Sequence, residues 1–443
     1  MQDKSYLLEV RSQYEELPYP ERKPLDELKR IEMIFYDGID RINHICHSGL
    51  KDFTAGARIL IAGGGTGDSL IFLAEQLRDT NSEIVYLDFS QASLDIAKER
   101  ADIRGLENIT WIRDSLLNLP KLNLGKFDHI NCSGVLHHLE DPDEGLRALE
   151  SVLTDDGSLH IMVYGQYGRT VIYQLQSLLR LVNTKSDTKE KISNCRKLME
   201  SFHGNHWYQF VKGAYTDLRD IELFDLFLHS RDRAYTIPEL YDFVEKAGLK
   251  ISKLLSSGDS AGNSLYKPRY YLQDEDMLES IEQLPEREQQ AIAEIMNGLI
   301  GKHEFYATKD IKPCATSRSL DFIPSFPITT MTERTDYQQA YQAALAPGDH
   351  LVIDAKGLNG NVVTRKTPNM ADFFKHLDGN KTLQQIYELI IANRNDKSLN
   401  TDLLGEEFEE LFIAMDKYDY LLLRHKSIPA YKTAEEIQRR MST

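Results

Sequence analysis

The chain has 443 residues, a formal net charge of −17 at pH 7, 41% hydrophobic residues and 27% charged residues. This composition is typical of a soluble globular protein, and the length predicts two or three domains. The negative charge disfavours nucleic-acid partners, because phosphate backbones repel an acidic surface. No apolar run approaches the roughly 20 residues of a membrane span. The four scattered cysteines favour free thiols and a cytoplasmic location.

The predicted elements begin with a helical leader over residues 1–50, where PLDELKRIEMIFYDGIDRI carries apolar residues at helical spacing. We expect this leader to act as a lid over a ligand site or to lie on the surface as an arm. Over residues 51–165, the apolar runs ARILIAG, EIVYLDF, ITWIRD, FDHINCSG and SLHIMVY alternate with helical stretches. This alternation predicts an α/β domain with a parallel sheet and helices on both faces.

The second half of the chain divides at a stretch that contains three prolines. Residues 166–310 are predicted to hold helical insertions and the last strands of the sheet, KISKLL and KHEFYAT. The prolines predict a linker over residues 311–333, so we expect a chain cut near Thr329 to leave a folded body. Residues 334–430 contain a predicted hairpin, helices and a closing strand, which favour a winged-helix-like C-terminal domain.

A glycine-rich loop between the first strand and the next helix, in ILIAGGGTGDSL, is the strongest motif. Gly63, Gly65 and Gly67 permit a tight turn and the close approach of a ligand to the backbone. A dinucleotide fingerprint would place another glycine where this chain has Asp68. A carboxylate there repels a pyrophosphate but attracts a sulfonium and an ammonium, which favours S-adenosylmethionine over NAD as the cofactor.

Acidic residues end the next two predicted strands. Asp88 ends EIVYLDF and is predicted to accept hydrogen bonds from ribose hydroxyls. Asp114 ends ITWIRD, and its carboxylate can accept from an adenine amino group. Phe89, Ser115 and Ser133 lie beside strand ends at the same edge and complete the predicted cofactor site. The alternative is a doubly wound domain that binds another nucleotide.

The motifs AGGGTGD, LDFS, RDSLLNLP and FDHINCSGVLHHLEDP together resemble the class I S-adenosylmethionine-dependent methyltransferase family over about residues 55–165. The resemblance implies a doubly wound, Rossmann-like sheet with the glycines, Asp88 and Asp114 at the cofactor. Ile61 departs from the family, which usually has an acid there to anchor the cofactor's amino group, and Asp68 is the predicted substitute. The layout is similar to that of bacterial outer-membrane-protein lysine methyltransferases, which also carry helical middle parts and a C-terminal winged helix.

The methyl acceptor is expected beside the ends of the fourth and fifth strands. His137 and His138 follow the fourth strand, where an imidazole can take the acceptor's proton; the alternative is that the pair packs or orients the adenine. Tyr164 ends the fifth strand and is expected to line the acceptor crevice or to pack in an insertion. No metal is predicted, because the clusters around His44 and His203 lack a recognised zinc spacing.

The leading hypothesis for function is methyl transfer from S-adenosylmethionine to a peptide or protein side chain such as lysine. The alternatives are methylation of a small metabolite and a cofactor-binding scaffold without enzymatic activity. The C-terminal domain is expected to hold a protein partner, to cover the cleft or to support a homodimer. DNA binding is disfavoured because LDGNKT and EEFEELF are acidic where a recognition helix would be basic.

Overall fold

One large mixed sheet lies at the centre of the protein. The computed structural model describes residues 14–184, 187–204, 208, 212–215, 217–229, 231–255, 265–328, 335–354, 361–394, 398–416 and 419–439. The strands of the large sheet, in chain order, are β1 (Arg58–Ala62), β2 (Glu83–Asp88), β3 (Ile109–Arg113), β4 (Phe127–Ser133), β5 (Leu153–Gly165), β6 (Ala234–Tyr235), β7 (Lys250–Leu255) and β8 (Lys302–Thr308).

The strand order confirms the doubly wound architecture. The strands run β3–β2–β1–β4–β5–β8–β7, and the short β6 pairs with β5. β1 to β5 are mutually parallel, whereas β8 is antiparallel to both of its neighbours. The order reverses between β1 and β4, so the loops after these strands diverge and leave a crevice at their carboxyl ends.

Two hydrophobic cores cover the two faces of this sheet. Successive residues of a strand point to opposite faces; accordingly, Leu60 packs with Phe127 in one core, and Ile59 and Ile61 pack with Ile84 in the other.

The α-helices are α1 (Ile39–Cys46), α2 (Asp68–Gln76), α3 (Gln91–Arg104), α4 (Pro142–Ser151), α5 (Thr170–Val182), α6 (Thr188–Ser201), α7 (Asp220–Leu223), α8 (Ile237–Lys246), α9 (Glu275–Glu282), α10 (Glu286–Asn297), α11 (Thr335–Leu345), α12 (Met370–His376), α13 (Leu383–Asn393), α14 (Thr401–Asp416) and α15 (Ala434–Arg439).

Local capping signals explain where several helices begin. The Ser90 hydroxyl accepts a hydrogen bond from the Ser93 amide at the start of α3, and Thr236 forms a capping box with Glu239 at the start of α8, as its sequence predicts. Short 3₁₀ turns and one π-helical turn complete the helical structure: Pro24–Leu28, Phe35–Asp37, Leu116–Lys121, Leu136–His138, Lys212–Ala214, Pro268–Tyr270 and the π-turn Phe224–Leu228. No described helix has both the length and the apolar character needed to cross a membrane.

The leader is less helical than its apolar periodicity predicts. Only 3₁₀ turns and the short α1 form within the PLDELKRIEMIFYDGIDRI segment. Between the two turns the backbone contacts a distant side chain instead of its own helix, since the Ile31 amide donates to Oε1 of Gln438 at 3.3 Å. Residues 1–13 lie outside the described residues. Tertiary contacts therefore override the local helical pattern in this segment.

The C-terminal part contains two small antiparallel ladders. They are formed by β9 (Phe322–Ser325), β10 (His350–Asp354), β11 (Asn361–Arg365) and β12 (Leu422–His425). β10 pairs with β11 as the predicted hairpin, and β9 pairs with β12. β9 lies within the predicted linker; its residues Phe322 and Ile323 are buried, and a two-stranded edge tolerates Pro324. The winged-helix description of this part stays a prediction.

Buried ion pairs join this C-terminal part to the sheet domain. Arg41 on α1 lies 3.1 Å from the Asp419 carboxylate, which also pairs with Lys253 on β7. Nε2 of His44 lies 3.1 Å from Asp416 at the end of α14. Ile437 on α15 packs into the core of the sheet domain. From this packing we expect the two parts to depend on each other for stability, in contrast to the expectation from the sequence for a chain cut near Thr329.

Candidate active site at the carboxyl ends of the parallel strands

A cavity of about 310 Å³ lies where the strand order reverses. Its position and size are those of a small-molecule site in an open α/β sheet. The predicted cofactor residues line this cavity with the exception of Gly67, and those that do so are Gly63, Gly65, Asp68, Asp88, Phe89, Asp114, Ser115 and Ser133.

The glycine loop turns tightly and lies against the N-terminal segment of the chain. Gly65 has a φ of +51°, and a Cβ atom there would lie 2.6 Å from the carbonyl oxygen of Tyr19. Gly67 has a φ of +99° and begins α2, where its Cβ would lie 3.0 Å from that of Ala97 on α3. Gly65 therefore permits a backbone-to-backbone approach at the cavity, whereas Gly67 permits the packing of two helices behind it.

Asp88 is held at the end of β2 by backbone amides. Its two carboxylate oxygens accept hydrogen bonds from the amides of Gly65 and Ser90, both at 2.8 Å. Burial raises the pKa of this carboxyl, and the two backbone hydrogen bonds oppose the rise. Each oxygen still has a lone pair for a ligand hydroxyl, which fits the predicted contact with ribose.

Asp114 presents one carboxylate oxygen to the cavity. Its Oδ1 accepts hydrogen bonds from the Ser115 amide and from Nδ2 of Asn118, both at 2.7 Å. Both contacts engage the same oxygen and fix the side chain, so Oδ2 is left to accept a hydrogen bond from a ligand amino group. This geometry fits the predicted contact with adenine.

Asp68 forms ion pairs with two arginines. The geometry therefore does not favour Asp68 as the residue that binds the cofactor's amino group in place of an acid at Ile61. Arg22 donates from Nε and Nη2 to the two oxygens of Asp68 at 2.8 and 2.6 Å, and Nη1 of Arg100 donates at 2.8 Å. Burial alone would raise the pKa of this carboxyl, but the hydrogen bonds and charges of the two arginines lower it. The negative charge of Asp68 is therefore already compensated.

The three predicted catalytic residues lie at different depths. His138 lines the cavity, and its Nδ1 lies 2.8 Å from the carbonyl oxygen of Arg231. His137 is buried, with neither ring nitrogen hydrogen-bonded to a described residue, and its ring lies 3.8 Å from that of Tyr164. Tyr164 itself is buried under the guanidinium of Arg169. Only His138 is placed to contact a ligand in the cavity.

An N-terminal strap, defined here as residues 14–23, covers one side of the cavity. The Glu15 carboxylate accepts hydrogen bonds from the Gln91 and Ala92 amides at the start of α3, at 2.9 and 3.0 Å. Thr66 in the glycine loop donates its amide to Tyr19 and its hydroxyl to the carbonyl oxygen of Pro20. The strap thus supplies cavity residues that sequence motifs do not reveal, although its two tyrosines and prolines prompted the lid hypothesis.

Next to His138 lies a polar cluster that the sequence did not identify. Asp225 sits on the π-helical turn, and its carboxylate accepts hydrogen bonds from the Tyr14 and Tyr164 hydroxyls at 3.5 Å. Burial raises the pKa of Asp225. The carboxylate forms no ion pair with any described residue, and its chemistry is therefore suited to receiving a cation from outside the chain.

His138, Asp225 and His229 offer ligand atoms within 4.8 Å of one another, yet they do not fit a metal ion. The Arg231 amide donates to Nδ1 of His229, so the neutral ring carries its proton on Nε2 and has no lone pair left for a metal. The remaining two ligands are fewer than zinc requires. The cluster predicted to lack metal around His203 lies partly outside the described residues.

Comparison with known proteins identifies the domain type. Residues 60–159 match the family described as a methyltransferase domain. An uncharacterized protein from Synechococcus sp. is 36% identical over 198 residues, which cover 43% of this chain and 47% of that protein. The ubiquinone biosynthesis O-methyltransferase of Vibrio campbellii is 22% identical over 163 residues, with coverage of 36% and 66%. The chain thus spans about half to two thirds of the length of these relatives.

A solved structure with a similar fold extends the comparison to most of the chain. PKMT2 from Rickettsia typhi superposes with a TM-score of 0.63 and 15% sequence identity, covering 89% of this chain and 76% of that one. The same protein in complex with AdoHcy gives a TM-score of 0.63 over 88% of this chain. Residues 60–159 therefore match a methyltransferase domain, and the chain over most of its length shares the fold of PKMT2.

Proposed function

We propose that the protein transfers a methyl group from S-adenosylmethionine to an amine on a peptide or protein side chain, with lysine as the acceptor. The methyltransferase domain and the fold shared with PKMT2, which was solved with AdoHcy, support the cofactor. Asp88 and Asp114 at the cavity support it further, because their carboxylates suit ribose and adenine. When bound, S-adenosylmethionine supplies an electrophilic methyl group and leaves as S-adenosylhomocysteine.

The observation that carries the choice of an amine is the environment of Asp225. This carboxylate lies within 4.8 Å of a ring nitrogen of His138, which lines the cofactor cavity. The hydroxyl groups of Tyr14 and Tyr164 and a ring nitrogen of His229 lie next to it. A desolvated carboxylate without a cationic partner is unfavourable, and an ammonium group would supply the missing ion pair. Lys302 and Arg169 face Asp225 but form no ion pair with it.

His138 is placed to take the proton that the amine must lose. Nδ1–H of His138 donates to the Arg231 carbonyl, so the lone pair is on Nε2. Burial lowers the pKa of His138, which keeps the ring neutral and able to accept a proton at pH 7. The ammonium must lose a proton before its nitrogen has a lone pair with which to attack a methyl group, and Nε2 of His138 would accept that proton.

Methylation of a small molecule is the second candidate, and the sequence relatives favour it. Ubiquinone biosynthesis O-methyltransferases align with 24% to 39% of this chain. A phenol or quinol acceptor carries no positive charge, however, and would leave Asp225 without a cationic partner. The two candidates therefore differ in whether Asp225 is needed.

An assay with tritiated S-adenosylmethionine separates the two candidates. The purified protein is added to an extract of cells that lack it, and the molecules that acquire the labelled methyl group are identified. With the wild-type enzyme we expect label in acid-precipitated protein, and prior acylation of the amines in the extract should abolish it. Asp225→Asn should reduce labelling about tenfold or more, because a neutral amide cannot pair with the ammonium. Exposed Asp402, in the C-terminal part, provides the matched control Asp402→Asn.

Label confined to the organic extract would contradict a protein acceptor and support the small-molecule candidate. Protein labelling that survives acylation would contradict the amine. Equal labelling by the Asp225→Asn enzyme would remove the structural reason for choosing an amine.

A further inference from the structure

The end of β1 lacks an acidic side chain at the cofactor site. Ile61 occupies the position where an acid would anchor the amino group of S-adenosylmethionine, and Asp68 is committed to Arg22 and Arg100. An ammonium inside a cavity needs an oxygen acceptor and a compensating negative charge. The residues next to Ile61 on the neighbouring β4 supply both.

Asn131 on β4 is paired with Ile61 in the sheet register and lines the cavity. Its side chain is 3% exposed, and its Nδ2 lies 2.8 Å from Oδ1 of Asp37. Nδ2 also lies 3.0 Å from Nδ1 of His160 and 3.4 Å from Oγ of Ser69. The Asp37 carboxylate is the nearest acceptor, and it favours this orientation because the opposite one would place two oxygens in contact. Oδ1 of Asn131 has no partner among the described residues and is the atom left for the cavity.

Asp37 belongs to a buried charged group behind the cavity wall. Nδ1 of His160 lies 2.9 Å from Oδ1 of Asp37, and Nε2 of His160 lies 2.9 Å from Oε1 of Glu304. Burial alone would lower the pKa of His160, but the hydrogen bonds and charges of both carboxylates raise it to about 10. Two carboxylates around one imidazolium leave a net negative charge immediately behind Asn131.

We propose that Asp37, acting through Asn131, replaces the missing acid of β1 and binds the α-ammonium group of the methyl donor. Oδ1 of Asn131 accepts the hydrogen bond, and the Asp37–His160–Glu304 group supplies the negative charge. Asp37 is thus a positioning residue contributed by the leader rather than by the sheet. The inference rests on the proposed function, because it requires that the cavity holds S-adenosylmethionine.

Calorimetric titration with two ligands tests this assignment. The ligands are S-adenosylhomocysteine and the analogue that lacks only its α-amino group. We expect the wild-type protein to bind the first about tenfold or more tightly than the second, since a charge-assisted hydrogen bond is lost. Asn131→Leu should lower the affinity for S-adenosylhomocysteine to that of the analogue and leave the analogue's affinity unchanged.

Asp37→Asn provides a second variant of nearly the same size, in case Asn131→Leu does not fold. It removes the charge and should also reduce the preference for the amino group. Asp88→Ala is the matched control. Because both ligands carry ribose, this substitution should lower the affinity for both by the same factor. Equal binding of the two ligands by the wild type would overturn the assignment while leaving the proposed function intact. Failure of both ligands to bind the wild type would overturn both proposals.

Discussion

His138 lies between the cavity at the strand ends and the polar cluster around Asp225. It lines the cavity and lies beside Asp225, whereas its neighbour His137 is buried against Tyr164. The sequence presents these two histidines as equivalent candidates. Their different roles depend on the 3₁₀ turn Leu136–His138, which points one ring into the core and the other toward the cavity.

We expect His138→Gln to lower kcat about 100-fold, the typical contribution of a general base. Binding of S-adenosylhomocysteine should change little, because the variant retains a polar side chain of similar size. The pKa of His138 is lowered by burial, so the base is in its active, neutral form above that pKa. Wild-type kcat should therefore fall only at pH values below the ordinary histidine pKa of about 6.5.

In His138→Gln the decrease of kcat below this pH should disappear. The kcat of the variant should instead rise with pH, because the ammonium acceptor must lose its proton to solvent. Steady-state kinetics over roughly pH 5 to 9 measures both effects. His350→Gln is the control, since His350 is exposed on the C-terminal hairpin. An unchanged kcat and pH profile in His138→Gln would show that positioning alone drives the reaction.

Residues at strand ends could be predicted from the sequence because strand and loop are contiguous in the chain. Asp88 and Asp114 follow directly from where β2 and β3 stop. Asp225 and Asn131 could not be predicted in the same way. Asp225 comes from an insertion that brings it next to His138, and Asn131 takes its orientation from side chains distant in sequence, among them Asp37 and Ser69.

At the scale of elements, the strap and the β9–β12 ladder tie distant parts of the chain together. Strands β1 to β5 have strong periodic signals and lie where the sequence places them. β9 contains a proline and its local sequence predicts a linker, but it gains its structure by pairing with β12, about 100 residues further along the chain. Pairing of this kind is set by tertiary contacts that local propensity does not record.

We expect a chain cut near Thr329 to be unstable or insoluble. The cut removes the partner of β9 and leaves the buried cations Arg41 and Lys253 without Asp419. An uncompensated buried charge costs about 3–5 kcal/mol, which for a chain of this length corresponds to a decrease in Tm of roughly 3–7 °C. Thermal unfolding followed by circular dichroism measures this difference.

Asp419→Asn separates the charge effect from the loss of the remaining elements. Asp419 has a φ of +51°, a conformation that asparagine tolerates, so the backbone should be preserved. This variant should lower Tm by several degrees, whereas the exposed Asp402→Asn should leave it unchanged. A truncated protein with wild-type Tm would show that the two parts fold independently after all.

At the scale of the whole molecule, the leader and the sheet domain line the cofactor cavity, and buried ion pairs join the C-terminal part to the sheet domain. The acidic composition of the protein suits a cationic acceptor, because a net charge of −17 attracts basic partners at long range. The doubly wound sheet could be predicted from alternating strands and helices. The contribution of the leader could not, because its contacts with the glycine loop are made by backbone atoms that carry no sequence signal.

Calorimetric titration of the wild-type protein and Asp88→Ala tests the central claim, a cavity specific for S-adenosylmethionine, most directly. We expect S-adenosylmethionine and S-adenosylhomocysteine to bind the wild type and NAD not to bind. Loss of the Asp88 carboxylate should cost about 1–3 kcal/mol, or roughly tenfold or more in affinity, because ribose hydrogen bonds are removed. Binding of NAD in place of the two adenosyl ligands, or unchanged affinity in the Asp88→Ala protein, would contradict the claim.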